Sequence, residues 1–245
     1  MLGTLGISAN TAFSAIYAPE QIPTPTSPYL GLFGIGFRTK GTTMESMMGI
    51  FSSLTNTREC DTELYDKLKS IREKRRVETV EKGDILPSST FYYREPANSF
   101  DRRRWMDSAI NIVKECHLVF LDPDNGIECP SMQKSKEGKY AFWKEIETLY
   151  NGKHSLVIYH HLGRNSTHED QIKNLQQKLA TKLGRAGSPP AIRAFRYRRG
   201  TSRAFFIVLH PNNPFSDQMG EQVDSFRKPN WFDNNHFTFI DKTET

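Results

Sequence analysis

The chain has 245 residues, of which 37% are hydrophobic and 25% are charged, and its formal net charge is +5. This composition is typical of a globular protein and excludes a disordered chain. No stretch approaches the roughly 20 apolar residues that a bilayer span requires, so we expect no transmembrane helix and no membrane partner. The three cysteines form no C-x-x-C pair, a usage that suits a reducing compartment, and we expect a cytoplasmic protein.

Domain organisation is indicated first by residues 1–28, which end in a proline-rich stretch. Proline-rich segments adopt extended conformations and do not pack into a core of their own. We therefore expect residues 1–28 to be an N-terminal extension or linker. Residues 29–241 are expected to form a single α/β domain.

Hydrophobic periodicity predicts the elements of that domain. Apolar residues recurring every three or four positions indicate helices, and short continuous apolar runs indicate buried strands. In chain order, the predicted elements are a helix at 62–76, a strand at 90–93, a helix at 102–115, a strand at 118–121, a helix at 140–150, a strand at 155–159, a helix at 167–183 capped by Thr167, and strands at 191–197 and 204–209. The polar segment 211–235 is expected to be mostly loop.

The order of these elements predicts the fold class. Strand, helix, strand and helix in succession indicate parallel crossovers. The short glycine-bearing link at 198–201 makes the last two strands an antiparallel hairpin. We therefore predict an α/β domain with a mostly parallel sheet into which the C-terminal hairpin inserts one antiparallel strand. This layout resembles the C-terminal half of the class I methyltransferases, and the resemblance implies a Rossmann-like core.

Polar and charged side chains follow two successive apolar strands of this pattern. An acidic segment at 122–128 follows the strand at 118–121, and a segment with two histidines and an arginine, 160–164, follows the strand at 155–159. Ligands of open α/β sheets bind beyond the carboxyl ends of the strands, so we expect these side chains to converge on one cleft. The candidate catalytic residues are Asp122, Asp124, Asn125 and His160, and the candidate substrate-binding residues are His161, Arg164, Arg198 and Arg199.

The acidic segment begins with Asp122-Pro123, which is similar to the first half of the D-P-P-Y or N-P-P-Y segment of amino-methylating enzymes. In those enzymes the first side chain and a backbone carbonyl accept hydrogen bonds from the target amine, and the final aromatic ring stacks on the flipped base. Asp124-Asn125 departs from the second half and supplies no aromatic ring. The resemblance implies that Asp122 accepts the amine.

Two glycines upstream, Gly34 and Gly36, are candidates for the glycine turn of an S-adenosylmethionine site. Small residues at such a turn let the backbone approach the cofactor closely. The short apolar stretch 29–37 that contains them is consistent with a strand that enters this turn. We therefore expect S-adenosylmethionine as the cofactor if the chain is a methyltransferase.

The same acidic segment also fits a metal site. Asp122, Asp124 and Glu128 place three carboxylates after one strand, and Mg²⁺ prefers oxygen ligands of this kind. Topoisomerase–primase domains carry a similar D-P-D segment followed by glycine and glutamate. They also need a glutamate after an earlier strand, and none is evident upstream. A Mg²⁺-dependent nuclease or phosphodiesterase is therefore the alternative enzyme.

Basic residues are clustered in the ranges 67–76, 102–104 and 193–203. Such clusters raise the local concentration of polyanions and favour nucleic acid or a phosphorylated substrate as a partner. Each cluster is also compatible with a solvated surface face. A third hypothesis is therefore a nucleic-acid-binding protein that keeps the fold without catalysis.

From residue 61 onwards the sequence resembles a bacterial protein family with a methyltransferase-like Rossmann core. The most specific shared element is the segment 121–128, Leu-Asp-Pro-Asp-Asn-Gly-Ile-Glu, and a second is the segment 159–164, Tyr-His-His-Leu-Gly-Arg. The general layout is similar to that of the ribosomal-RNA adenine N6-methyltransferases. This similarity implies a nucleic-acid amine as the methyl acceptor and Asp122 as the residue that binds it.

Overall fold

The computed structural model describes residues 12–13, 36–37, 66, 101–123, 125–199, 201–225 and 237–240. Gly34, Asp124 and most of the ranges 1–28, 62–76 and 90–93 lie outside the described residues, so the expectations made for them stay predictions. Two short strands, β1 (Ala12–Phe13) and β2 (Gly36–Phe37), pair in antiparallel fashion.

From residue 101 onwards the elements follow the predicted order with several additions. The helices are α1 (Arg102–Val113), α2 (Trp143–Asn151), α3 (His168–Leu183) and α4 (Ser216–Ser225). The strands are β3 (Leu118–Leu121), β4 (Gly126–Ile127), β5 (Tyr140–Ala141), β6 (Ser155–His161), β7 (Ala191–Arg199), β8 (Thr201–Leu209) and β9 (Phe237–Ile240). Short 3-10 helices cover Lys134–Lys139 and Gly184–Ala186.

The main sheet has five strands in the order β3-β6-β8-β7-β9. Only β3 and β6 are parallel, and the other three neighbouring pairs of this sheet are antiparallel. The prediction of a mostly parallel sheet is therefore wrong for the described residues. The hairpin strand β8 forms two antiparallel interfaces, and β9 adds a third that the sequence did not predict. The structure is a mixed α/β fold.

The predicted hairpin is confirmed, and it is longer than expected at its tip. β7 and β8 pair from Ala191 with Leu209 to Arg199 with Thr201. β8 lies between β6 and β7 and is antiparallel to both. The inserted antiparallel strand is thus present as predicted.

Alternating residues of the sheet cover its two faces, as the period of two along a strand requires. On one face, Val119, Ile158 and Phe206 pack with α1, α2 and α3, and we call it the three-helix face. On the other, Phe120 and Ile207 pack with α4, and we call it the α4 face. The sheet is therefore covered by helices on both sides.

Two helix boundaries illustrate the local chemistry. Thr167 caps α3 as predicted, because its hydroxyl oxygen accepts a hydrogen bond of 3.1 Å from the backbone N–H of Asp170. The second helix begins at Trp143 rather than at residue 140, since Tyr140 and Ala141 pair with β4. Its first turn is closed by Glu145, whose carboxylate accepts the Phe142 N–H at 2.9 Å.

The segment 211–235 was expected to be mostly loop, but α4 occupies ten of the fifteen residues that are described there, 211–225. Met219 and Val223, four positions apart, place buried side chains against the sheet. The polar composition of the segment concealed this two-residue apolar stripe. Within the described residues, no helix combines the length and apolar character needed to cross a lipid bilayer.

Arg102 at the start of α1 ties that helix to the start of α2. Its Nε and Nη2 atoms donate to the carboxylate of Glu145 at 2.6 and 2.9 Å, and Nη2 also donates to the carbonyl of Tyr140 at 2.8 Å. The two side chains are only 12% and 8% exposed. The guanidinium group also lies over the Phe142 ring, 4.7 Å from its centre.

Replacing Arg102 by Met is expected to destabilise the protein by about 3 kcal/mol, because it leaves the buried Glu145 carboxylate without its charged partner, with only the Phe142 N–H as a donor. Denaturant unfolding measures this change. Arg104→Met is the matched control, since Arg104 on the same helix is 85% exposed and lies 3.9 Å from Asp101. We expect it to cost less than about 0.5 kcal/mol. Equal losses in the two variants would contradict this account of the pair.

Candidate functional site

The ends of β3 and β6 meet at one edge of the sheet, as the parallel register of Leu121 with Ile158 requires. The tip of the hairpin formed by β7 and β8 lies at the same edge, because His161 pairs with Arg203. We call this edge the carboxyl edge. It brings together the segment after β3, the end of β6 and the hairpin tip. The described candidates at or next to this edge are Asp122, Asn125, His160, His161, Arg164, Arg198 and Arg199.

Asp122 is the first residue after β3 and is 8% exposed. Continued by one residue, the register of β3 and β6 places Asp122 beside Tyr159 on the α4 face. A short polar side chain in this position is usually exposed to water, and burying a carboxylate requires partners. The site therefore holds a buried acid at the end of β3, the outermost strand of the main sheet on this side.

The segment that follows Asp122 is held down on both sides. The backbone N–H of Asn125 donates to the carbonyl of Lys139 at 2.9 Å, and the Asn125 carbonyl accepts from the N–H of His161 at 3.3 Å. Gly126 and Ile127 then pair with β5. Asn125 is thus fixed between the end of β6 and the start of β5.

His160 lies beneath this segment on the three-helix face, and its Nδ1 atom accepts the backbone N–H of Ile127 at 3.1 Å. Gly126 crosses directly over the ring with a φ of +103°. A Cβ at this glycine would lie 2.7 Å from Cγ and 2.8 Å from Cα of His160, and closer still to Nδ1. The close approach of the backbone to the His160 ring therefore requires a glycine at position 126.

The hydrogen bond from Ile127 assigns the proton of neutral His160 to Nε2, because Nδ1 is the acceptor. Burial, together with the neighbouring His161, lowers the pKa of His160 to about 4. Nδ1 is therefore occupied at neutral pH, and the Nε2–H group remains as a donor. The catalytic role predicted for this histidine stays a prediction, and its contact with Ile127 gives it a positioning role in the loop.

Protein stability is expected to fall in acid because His160 resists protonation in the folded state. Its folded pKa of about 4 lies below the unfolded value of 6.5, so the unfolded chain takes up the proton first as the pH falls. This contribution is complete above about pH 6.5 and decreases by about 3 kcal/mol between pH 6.5 and 4.

Denaturant unfolding at a series of pH values measures this loss. In His160→Asn the side-chain oxygen can still accept from Ile127 but does not titrate, so the decrease should be about 3 kcal/mol smaller than in the wild type. Burial also lowers the pKa of His117, His154, His161 and His210. The contribution of these histidines to the loss of stability in acid therefore remains in the variant. Parallel curves for the two proteins would contradict the assignment to His160.

On the α4 face, His161 belongs to a polar group that the sequence did not single out. The Nε atom of Arg203 donates to the hydroxyl of Tyr159 at 2.8 Å, and the His161 ring packs edge-on against Tyr159 with ring centres 5.7 Å apart. Burial and the adjacent Arg203 lower the pKa of His161. Alternation along β8 and the pairing of the hairpin were the signals that could have revealed this group.

Tyr140 is a second residue that the sequence did not single out. The side chain of Asn125 hydrogen-bonds its hydroxyl, although burial and the nearby Cys129 raise the pKa of Tyr140 overall. The ring is half-buried at the start of β5. The sequence placed Tyr140 in a helix, so its position next to the acidic segment could not be anticipated. An aromatic ring therefore lies beside this segment, although the motif itself has none.

Glu128 has a structural partner that the metal hypothesis did not anticipate. Its Oε1 atom accepts the backbone N–H of Trp143 at 2.6 Å, at the first residue of α2. A carboxylate at a helix N-terminus accepts a hydrogen bond from a free N–H group, and its negative charge interacts favourably with the helix dipole. Within the part of the chain that the structure describes, no three His, Cys, Asp or Glu side chains are grouped so that they could hold a metal ion. Asp124 lies outside that part.

The remaining candidates differ in their setting. Arg164 is exposed in the loop after β6, which the side chain of Gln171 holds through Gly163 N–H at 2.8 Å. Arg198 is exposed at the hairpin tip, and for Arg199 only the backbone pairing with Thr201 is described. Gly36 lies in β2 opposite Phe13, and the cofactor role predicted for it stays a prediction.

Comparison of the chain with protein-family models, with curated proteins and with solved structures finds no match in any of the three. The function is therefore argued from the residues of the carboxyl edge.

Proposed function

We propose that this chain is a methyltransferase-fold enzyme that transfers a methyl group from S-adenosylmethionine to an amine of a nucleic acid. Asp122 is the residue whose carboxylate accepts a hydrogen bond from the target amine. The observation that carries the proposal is the buried Asp122 at the end of β3, in a sheet whose antiparallel β8 lies between β6 and β7. An inserted antiparallel strand and a D-P segment after an apolar strand are the features by which the sequence resembles the amino-methylating enzymes.

The chemistry follows from the acidity and burial of this position. The nitrogen of an exocyclic base amine is a weak nucleophile because its lone pair is delocalised into the ring. A carboxylate that accepts a hydrogen bond from the amine raises the electron density on the nitrogen, and it stabilises the positive charge that develops there. The effect is larger in a site from which water is excluded, and Asp122 is 8% exposed.

The cofactor fits the charge of this site. S-adenosylmethionine, when bound, supplies an electrophilic methyl group on a positively charged sulfur, and the buried acid at the end of β3 suits a positive neighbour. Gly36 and Gly34 are the residues proposed to let the backbone approach it. Asp122 then orients the acceptor amine by its hydrogen bond.

A nucleic-acid substrate is supported by the basic residues around the carboxyl edge. Arg164 and Arg198 are exposed at the edge, and Lys134 and Lys136 are exposed in the 3-10 helix that leads into β5. Lys and Arg side chains in such positions contact the phosphate backbone. The half-buried ring of Tyr140 beside Asn125 offers a stacking surface for a base.

Titration calorimetry of the full chain with S-adenosylmethionine tests the proposal. We expect a heat of binding, and its absence from a folded, pure preparation would contradict methyl transfer. Nucleic-acid cleavage that requires Mg²⁺ and is lost in Asp124→Asn would instead favour the phosphodiesterase hypothesis. Salt-sensitive nucleic-acid binding with neither activity would favour a non-catalytic binding protein.

A further inference from the structure

Arg203 near the start of β8 is held in one orientation by its neighbour on β6. Its Nε atom donates to the Tyr159 hydroxyl at 2.8 Å. Tyr159 is itself 4% exposed, and its ring packs edge-on against Phe205 with ring centres 5.5 Å apart. A long side chain normally loses rotamer freedom when it binds a ligand, and here part of that loss has already occurred on folding.

Arg203 also differs from Arg102 and Arg193 in its charge balance. Arg102 is paired with Glu145, and Arg193 is paired with Asp224 through two hydrogen bonds of 3.0 and 3.1 Å. Within the described ranges, no carboxylate lies within salt-bridge distance of Arg203. Among the residues that the structure describes, the half-buried guanidinium therefore has no countercharge, and its two Nη groups remain as donors.

His161 stands directly opposite Arg203 in the antiparallel pair, and both side chains are half-buried on the α4 face. The imidazole can donate a hydrogen bond when neutral, and it gains a second donor when protonated. A cationic and a neutral donor thus face the same space at the carboxyl edge. Asp122 follows β3, on the other side of β6 from Arg203. Tyr159 of β6 lies between them in register with Asp122, and Arg203 is displaced by two residues along β8.

We propose that Arg203 and His161 form a binding site for a phosphate group at the carboxyl edge. The planar guanidinium fork matches the oxygens of a phosphate, and a fixed arginine without a countercharge gains the most from such a ligand. This inference rests on the proposed function in one respect. The phosphate is taken to belong to the same substrate whose amine donates a hydrogen bond to Asp122.

The spacing of the strands supports that connection. Neighbouring strands are about 4.8 Å apart, so β8 and β3, with β6 between them, are separated by about 10 Å. The register offsets Arg203 from Asp122 by two residues along the strands, so their Cα atoms are about 12 Å apart. Because both side chains extend from these Cα atoms, a single nucleotide can reach from one to the other, with the amine of its base at Asp122 and its phosphate at Arg203. Arg203 and Asp122 are thus placed to bind the two ends of one nucleotide.

Binding of a 5′-phosphorylated single-stranded oligonucleotide and of inorganic phosphate to the full chain, measured without S-adenosylmethionine, tests the site. We expect Arg203→Gln to weaken oligonucleotide binding at least about tenfold. Arg193→Gln is the matched control, because Arg193 lies on the same sheet but is paired with Asp224. Its binding should stay within about twofold of the wild type. Wild-type affinity in folded Arg203→Gln would overturn the proposal.

A second measurement covers the case in which Arg203→Gln does not fold. Nuclear magnetic resonance follows the titration of His161 in the wild type, and a bound phosphate should raise its pKa, with Arg203 and His160 as the charged or titrating neighbours. Tyr159→Phe, which removes the tether and keeps the ring, should weaken binding severalfold. No response of His161 to either ligand would overturn the site.

The two ligands distinguish the source of the phosphate. Arg203-dependent binding of the oligonucleotide without measurable binding of inorganic phosphate assigns the site to a polynucleotide. Competition by inorganic phosphate assigns it to free phosphate or a mononucleotide. Since no cofactor is present, a failure of methyl transfer leaves these results unchanged, and the two proposals can fail separately.

Discussion

Replacing Asp122 by Ala is expected to lower the rate of methyl transfer about 100-fold or more, because the acceptor of the amine hydrogen bond is removed from a water-poor site. The rate is measured with labelled S-adenosylmethionine and single-stranded nucleic acid. Asp122 is buried, so circular dichroism and denaturant unfolding must accompany the assay to show that the variant is folded. A wild-type rate in the folded Ala variant would exclude Asp122 from the reaction.

The Asn variant at the same position separates the two enzymatic hypotheses. Asp122→Asn keeps a carbonyl oxygen that accepts a hydrogen bond, and amino-methylating enzymes use Asn as well as Asp at the corresponding position. Methyl transfer should therefore remain well above the rate of the Ala variant. A Mg²⁺-dependent enzyme needs the negative charge of its carboxylate ligand. If the chain is such an enzyme, Asp122→Ala and Asp122→Asn should both lose Mg²⁺-dependent cleavage of nucleic acid.

Replacing Gly126 by Ala is expected to destabilise the protein by about 3 kcal/mol or more, the largest effect on stability that we expect from one added methyl group. The backbone at φ +103° disfavours any side chain, and the new Cβ would overlap the His160 ring. The shift that relieves this overlap also breaks the hydrogen bond from Ile127 N–H to Nδ1. Denaturant unfolding measures the loss.

Two other glycines separate the contributions to this loss. Gly187 has a φ of +81° and open space around its Cβ position, so Gly187→Ala reports backbone strain alone and should cost about 1 kcal/mol. Gly138 has open space and no positive φ, so Gly138→Ala should be close to neutral. A loss in Gly126→Ala no larger than that in Gly187→Ala would contradict the proposed fit of Gly126 on His160.

The sequence predicted those parts of the fold that depend on local patterns. The apolar runs of β3 and β6, the stripe of α3 and the glycine-bearing tip of the hairpin each carry their signal within a few residues. The direction of most strand pairs does not have such a signal. β9 joins β7 through pairing that includes Thr238 and Arg196, 42 residues apart, and it adds a third antiparallel interface to the two that β8 forms.

The candidate site shows the same limit. Sequence spacing predicted that Asp122 and the two histidines would reach one edge, because both follow apolar strands. It could not show that His160 accepts from Ile127, 33 residues away, or that Glu128 caps α2 at Trp143. Residue type alone suggested a base and a metal ligand, whereas the backbone N–H groups that contact these side chains depend on tertiary packing. In the sequence, Arg203 is one of five arginines in a cluster, and only the pairing of β8 with β6 shows that it lies opposite His161.

Mass spectrometry of nucleic acid incubated with the full chain and isotope-labelled S-adenosylmethionine tests the central proposal most directly. The account predicts the label as a methyl group on an exocyclic base amine, present with the wild type and nearly absent with Asp122→Ala. Nucleic acid that is recovered intact and without label, or that is cut in a Mg²⁺-dependent manner, would contradict it.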